Sequence, residues 1–403
     1  MPPVIAVFMD GLKPESLEYM EFLNTLYKAR LKTELGAYSP VCDTSIYTGV
    51  FLKKHLCWFT WKYSPNTSPF RILNKLKLAN FPHNIYSKYA CYKLALRLSG
   101  ATNPAIFGFT VFAGIPMKYW TCFDTDIKEP WERPNYYNGY PNLFKILETN
   151  NVRYEVVGTN SKDLPDSSRV VRKHNPREKV PLLNYFIGDI DHLSHEYGQD
   201  ACETIRRLRE IDEILQEKYA RFEKIFFGDF YFIVFSDHGH SRVENIVNLE
   251  EIFKRNGKNL KDYIHFIDSN YARFWFRSSE EEEEVRKVLS ELEDKGFFLT
   301  DEHFKKYKAN MPDNRYGDLI FYLDKPNVFF GKEISALGRR VSAPVSMHGY
   351  LPDYPDSDGV LVSNMKLKKN VAILQDIAPS ILQALGLKVP DYMDGEPVWK
   401  GTS

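Results

Sequence analysis

Hydrophobic and polar positions along this chain switch repeatedly between two periods. Val4 to Met9 form an unbroken apolar run that stops at Asp10-Gly11, the pattern of a buried strand followed by a turn. Residues 14–28 instead carry Leu17, Met20, Phe22, Leu23 and Leu26 at helical spacing, which predicts a helix. Residues 153–157 and 182–186 return to strand patterns. Residues 203–224 set Ile205, Leu208, Ile211, Ile214 and Leu215 along one face of a long amphipathic helix. Residues 230–235 form a further apolar strand, ending at Ser236-Asp237-His238-Gly239. Strands alternating with helices predict an α/β fold: a mostly parallel central sheet with helices on both faces. In such sheets sites gather where strands end at their carboxyl edge. Asp10 and Asp237 both fall there, a placement that ordinary turn chemistry shares.

Two segments break the alternation and divide the expected core into residues 1–56, 151–260 and 336–403. Residues 57–150 are crowded with aromatics and rich in Pro and Asn, which predicts a cap inserted over the core. Residues 261–335 read as a small α+β insertion, with strands at 271–276, 297–299 and 318–323 and a helix at 280–293. The glutamates at 280–284 follow Ser278-Ser279 and read as the capped, acidic first turn of that helix.

Composition narrows the class. Hydrophobic residues make up 43% of the 403 and charged residues 26%, enough for a sizeable core and too much for wholesale disorder. Lys plus Arg and Asp plus Glu both count 53, so no global field favours nucleic acid, and none is expected as a partner. The longest nearly uncharged stretch, residues 103–117, is broken by Pro104, Gly108, Gly114 and Pro116 and falls short of the ~20 apolar residues that span a bilayer. The opening residues are too short for a leader's apolar region plus cleavage site. Five cysteines (Cys42, Cys57, Cys91, Cys122, Cys202) are scattered and odd in number. Reduced thiols and a cytoplasmic location are therefore expected.

Four islands hold carboxylates and histidines in metal-like arrangements: Asp10, then Asp191 with His195 four residues on, then Asp237-His238, and His348 before Gly349. Four residues is the spacing that shares one helix face. Asp and His together, without Cys, suit zinc or manganese rather than a structural zinc site. Singly, each island has an ordinary structural reading; their order is what carries information.

That order resembles the alkaline phosphatase superfamily, and within it the type I phosphodiesterase/nucleotide pyrophosphatase branch. The matching pieces are Phe8-Met9-Asp10-Gly11, Ser39-Pro40 with Thr48-Gly49 nine residues on, His55, Asp191-x-x-x-His195 with Tyr197-Gly198, Ser236-Asp237-His238-Gly239 and Met347-His348-Gly349. The tail from Asp376 to Leu382 and on to Met393-Asp394-Gly395 is also similar. The resemblance covers roughly residues 1–56, 151–245 and 340–400 and implies two divalent metal ions. One would be held by Asp191, His195 and His348, the other by Asp10, Asp237, His238 and the nucleophile's oxygen. It implies Ser39 as that nucleophile, where the branch usually has Thr; Thr44 is the rival hydroxyl. Cys42 stands where the branch has a phosphoryl-binding Asn, and a thiol is a poor donor, so that contact is either missing or supplied from elsewhere, by Asp43 through a bound metal or by a cap residue. Ser236, His240 and His192 are expected to orient ligands or lie on the surface, and His55 to be structural.

The implied activity is two-metal phosphoester hydrolysis through a phosphoserine. A phosphodiesterase or nucleotide pyrophosphatase acting on a small molecule, nucleotide or lipid-like, is favoured. A phosphomonoesterase, a cofactor-independent phosphomutase and a non-catalytic binding protein on the same fold are the alternatives. Cap aromatics such as Trp58, Trp61, Phe107, Phe109 and Trp120 are expected either to wall the substrate, with Trp58 and Trp61 foremost, or to form the cap's own core.

Overall fold

The computed structural model describes residues 2–78, 84–99, 112, 114–137, 139–160, 166–176, 179–330 and 342–399. Seven strands make the central sheet, in the order Val371–Ile373, Tyr27–Lys32, Gly359–Ser363, Tyr231–Phe235, Val4–Met9, Leu182–Ile187, Tyr154–Val157. All are parallel except Gly359–Ser363, which runs antiparallel to both neighbours. Val4–Met9 lies near the middle and is apolar throughout because both faces of the sheet are covered. Val4, Ala6 and Phe8 enter one core with Phe186 and Phe235. Ile5, Val7 and Met9 enter the other with Tyr185 and Val234. Helices Ser39–Thr48, Leu143–Thr149 and Ile377–Ala384 seal the first face. The 25-residue helix Cys202–Phe226 seals the second with Leu208, Ile211 and Leu215. Helix Leu143–Thr149 lies inside the stretch expected to be cap, yet its Leu143, Phe144 and Leu147 pack on the sheet.

Phe8 sits at the crossing of these layers, with ring centroids 5.2 Å from Phe186, 5.4 Å from Phe235 and 5.8 Å from Trp131. Truncation there leaves a cavity that rigid strands cannot close. Phe8→Ala is expected to cost about 3–5 kcal/mol, read as a lower denaturant midpoint at an unchanged slope. A loss under about 1 kcal/mol would mean that the layers relax around the gap.

The helix expected over residues 14–28 is divided. Pro14–Tyr19 is a 3-10 turn, Glu21–Thr25 a short helix, and Tyr27 and Lys28 already belong to the strand Tyr27–Lys32. Met20 breaks the run at φ −120°, ψ 82°. A remote group caps the short helix: the Asp212 carboxylate accepts the N–H groups of Phe22 and Leu23 at 2.7 and 3.0 Å. The apolar spacing was real, since Leu17, Met20 and Leu23 are buried, but two short turns satisfy it as well as one helix.

A second, antiparallel sheet runs Ile264–Asp268, Tyr271–Trp275, Leu319–Leu323, Gly296–Phe298. Its first strand was not expected, because His265 and Asp268 interrupt the apolar pattern. Helix Ser279–Leu289 packs Val285 and Leu289 on this sheet, and the Ser278 side chain accepts from the Glu281 N–H at its start. The sheet also shares a core with the cap: Ile264, Phe266 and Trp275 pack with Trp61, Phe70 and Phe123. The expected boundary at residue 335 lies outside the described residues.

Candidate active site

Strand register assembles the carboxylates. Phe8 pairs with Phe235, and Met9 with Ile187. Each strand then ends within one or two residues, so Asp10 and Asp237 leave adjacent strands side by side while Gly188 opens the helix Asp189–Tyr197. That helix carries Asp191 and His195 one turn apart, Oδ1 to Nε2 3.3 Å. Gly11 is required at this corner. Its φ is +73°, and a Cβ would lie 3.0 Å from both Asp191 Cα and His240 Nε2.

Among the described residues, two of the three groupings with ligand atoms within 4.8 Å of one another are Asp191, His195, His348 and Asp10, Asp237, His238. Backbone carbonyls set the direction of each ring. Nδ1 of His195 lies 3.0 Å from Ser346 O, Nδ1 of His238 3.1 Å from Gly239 O, and Nδ1 of His348 2.6 Å from Ala37 O. A carbonyl cannot donate, so in each ring Nδ1 carries the proton and Nε2 keeps its lone pair. Those lone pairs point at carboxylates: His238 Nε2 is 3.2 Å from Asp237 Oδ2 and 3.6 Å from Asp10 Oδ1, and both of these oxygens are buried without a hydrogen-bond partner. Electron-rich atoms converging in a buried place repel one another unless a cation sits among them.

The electrostatics agree. Burial, then Asp237, Asp191 and Asp43, push the Asp10 carboxyl well above its ordinary range. Burial and Asp191 raise Asp237 as well, against the pull of His238. Burial would raise Asp191 too, but the His195 and His240 imidazoles outweigh it and hold that carboxyl well below the usual range. Burial, with His238 close by, keeps His348 neutral. Burial would lower His195, but Asp191 and the Ser346 carbonyl in turn raise it. Imidazoles and crowded carboxylates together are the donor set of a divalent transition-metal ion.

Ser39 is the first residue of the helix Ser39–Thr48 and is exposed. The segment carrying it is anchored on both sides of the ligand cluster. His348 bonds Ala37 two residues before it, and the Cys42 sulfur lies 4.0 Å from Asp237 O one turn after it. Thr44 is buried, and its hydroxyl donates to Pro40 O at 2.6 Å within the helix. Cys42 is wholly buried, 3.8 Å from Thr33 Oγ1. Asp43 lies four residues after Ser39, and burial, Asp237 and Glu132 all raise its carboxyl.

Residues 4–351 match the family described as type I phosphodiesterase / nucleotide pyrophosphatase. The chain belongs to that family. No curated protein sequence is significantly similar to it. Among solved structures it is similar to human ectonucleotide pyrophosphatase/phosphodiesterase 5, with a TM-score of 0.67 at 12% identity over 98% of this chain and 97% of that one. The murine counterpart gives 0.65 at 12% identity over 96% of each chain. An inactive variant of the murine protein in complex with AMP gives 0.64 at 12% identity, over 97% of this chain and 96% of that one. At that identity the likeness speaks for the fold.

This type I phosphodiesterase family member places the remaining expected residues as follows. Trp58 and Trp61, expected to face substrate, are 0% and 1% exposed. The Trp58 indole donates to Leu35 O at 2.8 Å, and Trp61 packs on Phe70 and Phe112. Both are core residues: bulky indoles gain more from burial beneath the cap than from lining its rim. Trp120 is buried as well, and Phe107 and Phe109 lie outside the described residues. His55 accepts the Cys57 N–H and meets Ser45 Oγ at 2.9 Å, inside a buried network with Glu34. His192 is exposed beside Glu196. Ser236 ties the loop after Val4–Met9 to the strand Gly359–Ser363, its hydroxyl donating to Leu12 O and accepting from the Val360 N–H. His240 is closer to the site than its sequence position indicated. It is buried, its Nε2 is 2.9 Å from Asp191 Oδ1, and it forms a third grouping with Asp191 and His238. The alternation in Asp237-His238-Gly239-His240 was the available signal, since extended backbone turns every second side chain to the same side.

Proposed function

We propose that this chain is a two-metal phosphodiesterase that passes a phosphoryl group first to Ser39 and then to water. The observation that carries the reading is the pairing of two convergent ligand trios with an exposed hydroxyl on the helix turn beside them. Asp191, His195 and His348 would hold one ion and Asp10, Asp237 and His238 the other, with zinc the first choice and manganese the second. When bound, the ions supply Lewis acidity that lowers the pKa of a hydroxyl and neutralises phosphoryl oxygens.

Ser39 Oγ attacks phosphorus and the alcohol opposite leaves; water then displaces Ser39 Oγ. Ser39 opens a ten-residue helix, so the amide dipoles point their positive end at the phosphoryl oxygens. His238, His348 and His195 keep their ligand geometry through the backbone carbonyls behind them. Asp43, one helical turn from Ser39, or a cap residue would supply the contact that Cys42 cannot, unless this chain does without it. The substrate is read as a small-molecule phosphoester, nucleotide or lipid-like. The five cysteines are free, which supports a reducing, cytoplasmic setting.

The segment from residue 36 to 50 contains no Lys or Arg. A monoester dianion needs additional positive charge that this segment does not offer, whereas a diester carries one charge less. An aryl phosphodiester is therefore expected to show a higher kcat/KM than the matching monoester, with Zn²⁺ and Mn²⁺ supplied in separate assays. A clear monoester preference with both ions would replace this reading by a phosphatase or a phosphomutase.

A further inference from the structure

We propose that the outer face of the helix Ile85–Ser99 is a docking surface for an anionic lipid bilayer. The helix buries Cys91, Tyr92, Ala95 and Leu96 against the cap core. Its opposite side leaves Tyr86 64%, Leu94 39% and Leu98 55% exposed, and Ala90 between them is exposed as well. These positions follow one another at intervals of four, so they form a single apolar seam winding along the helix. Isolated exposed apolar residues are ordinary on a protein surface; a seam repeated over three turns is not. Exposed Lys93 and Arg97 lie next to Leu94 and Leu98 and alternate with them along the turns.

Charge selects the partner. From residue 44 to residue 123 the chain holds ten lysines and arginines and no aspartate or glutamate, although the whole chain balances 53 against 53. The helix lies within this stretch, so no acidic side chain of its own segment offsets its cations. An anionic bilayer satisfies both features together: leucine and tyrosine enter the headgroup boundary while ammonium and guanidinium groups stay at the lipid phosphates. A nucleic acid would use the cations and leave the apolar seam in water. Among the described residues no helix is long and apolar enough to cross a membrane, so the contact is one of lying in the interface. This surface is independent of the hydrolytic reading.

The full chain is tested by co-sedimentation with phosphatidylcholine vesicles, with and without phosphatidylglycerol, at low and high salt. Partition is expected to rise with phosphatidylglycerol and fall with salt. The double change Lys93→Glu with Arg97→Glu should weaken it by at least about tenfold, since each cation near an anionic surface contributes a factor of about five. Leu98→Ser, alone and with Leu94→Ser, should weaken vesicle binding while leaving binding to duplex DNA at its original level. Melting temperatures and hydrolysis of a soluble aryl diester should match the parent in these variants, which separates lost docking from lost folding or a failed active site. Equal partition to neutral and anionic vesicles, partition unchanged in the charge variant, or duplex DNA bound more tightly than vesicles with the leucine variants silent would each overturn the proposal.

Discussion

Ser39→Ala is expected to lower turnover by several orders of magnitude and to remove any acid-stable phosphoenzyme. The expectation rests on where the two candidate hydroxyls sit. Ser39 is exposed on the first turn of its helix, between Ala37, which His348 grips, and Cys42, which abuts Asp237. Thr44 is one turn deeper, buried, with its proton given to Pro40 O. Removing the attacking oxygen leaves only binding and charge stabilisation, and a two-step displacement cannot then proceed through the enzyme. Thr44→Ala should remain within about tenfold of the parent, because it loses only the contacts of its hydroxyl with Pro40 O and the Tyr136 hydroxyl. Rapid quench with a labelled diester, followed by phosphopeptide mapping, reads both variants. A dead Thr44→Ala beside an active Ser39→Ala would place the nucleophile one helical turn away from this assignment.

Asp237→Asn and His348→Ala should each lose one divalent ion per chain, since each belongs to a different trio. Two tightly bound ions in both variants, by elemental analysis, would sink the assignment. Stability should respond with opposite signs in the two metal states. With metal present, the parent gains RT ln(1 + [L]/Kd), about 2.7 kcal/mol at a hundredfold excess over Kd, and chelation should lower its melting temperature. Without metal, the Asp10 and Asp237 carboxyls are raised in the folded state by burial and by neighbouring carboxylates. A raised carboxyl means that the folded chain binds more protons than the unfolded one, so stability falls as pH climbs above the ordinary carboxylate range. Asp237→Asn removes one of these charges. It should therefore melt higher than the parent under chelation near neutral pH, and lower than the parent in excess Zn²⁺. A variant less stable than the parent in both conditions would mean that Asp237 serves packing rather than a cation.

The residue order alone determined a good deal about this protein. The unbroken apolar run at Val4–Met9 announced a strand covered on both sides, and the alternation of strands with long helices announced the parallel sheet. The spacing of four between Asp191 and His195 was enough to bring them onto one face, because helix geometry is local. What only the tertiary structure decided depends on partners distant in sequence. Periodicity reports that a residue is buried, never against what. Leu17, Met20 and Leu23 are buried as expected, yet the chain breaks between them because Asp212, almost two hundred residues on, caps the second turn. Trp58 and Trp61 carry the composition of a binding wall, but the neighbouring sheet closes over them and makes them core. Gly359–Ser363 reverses direction inside a parallel sheet, which no local pattern encodes. His240 reaches Asp191 only because strand register sets the loop after Phe235 beside the helix that follows Ile187. Sequence settles local conformation and the order of the chemical groups; the convergence of those groups is a long-range property, set by which strands pair and in what register.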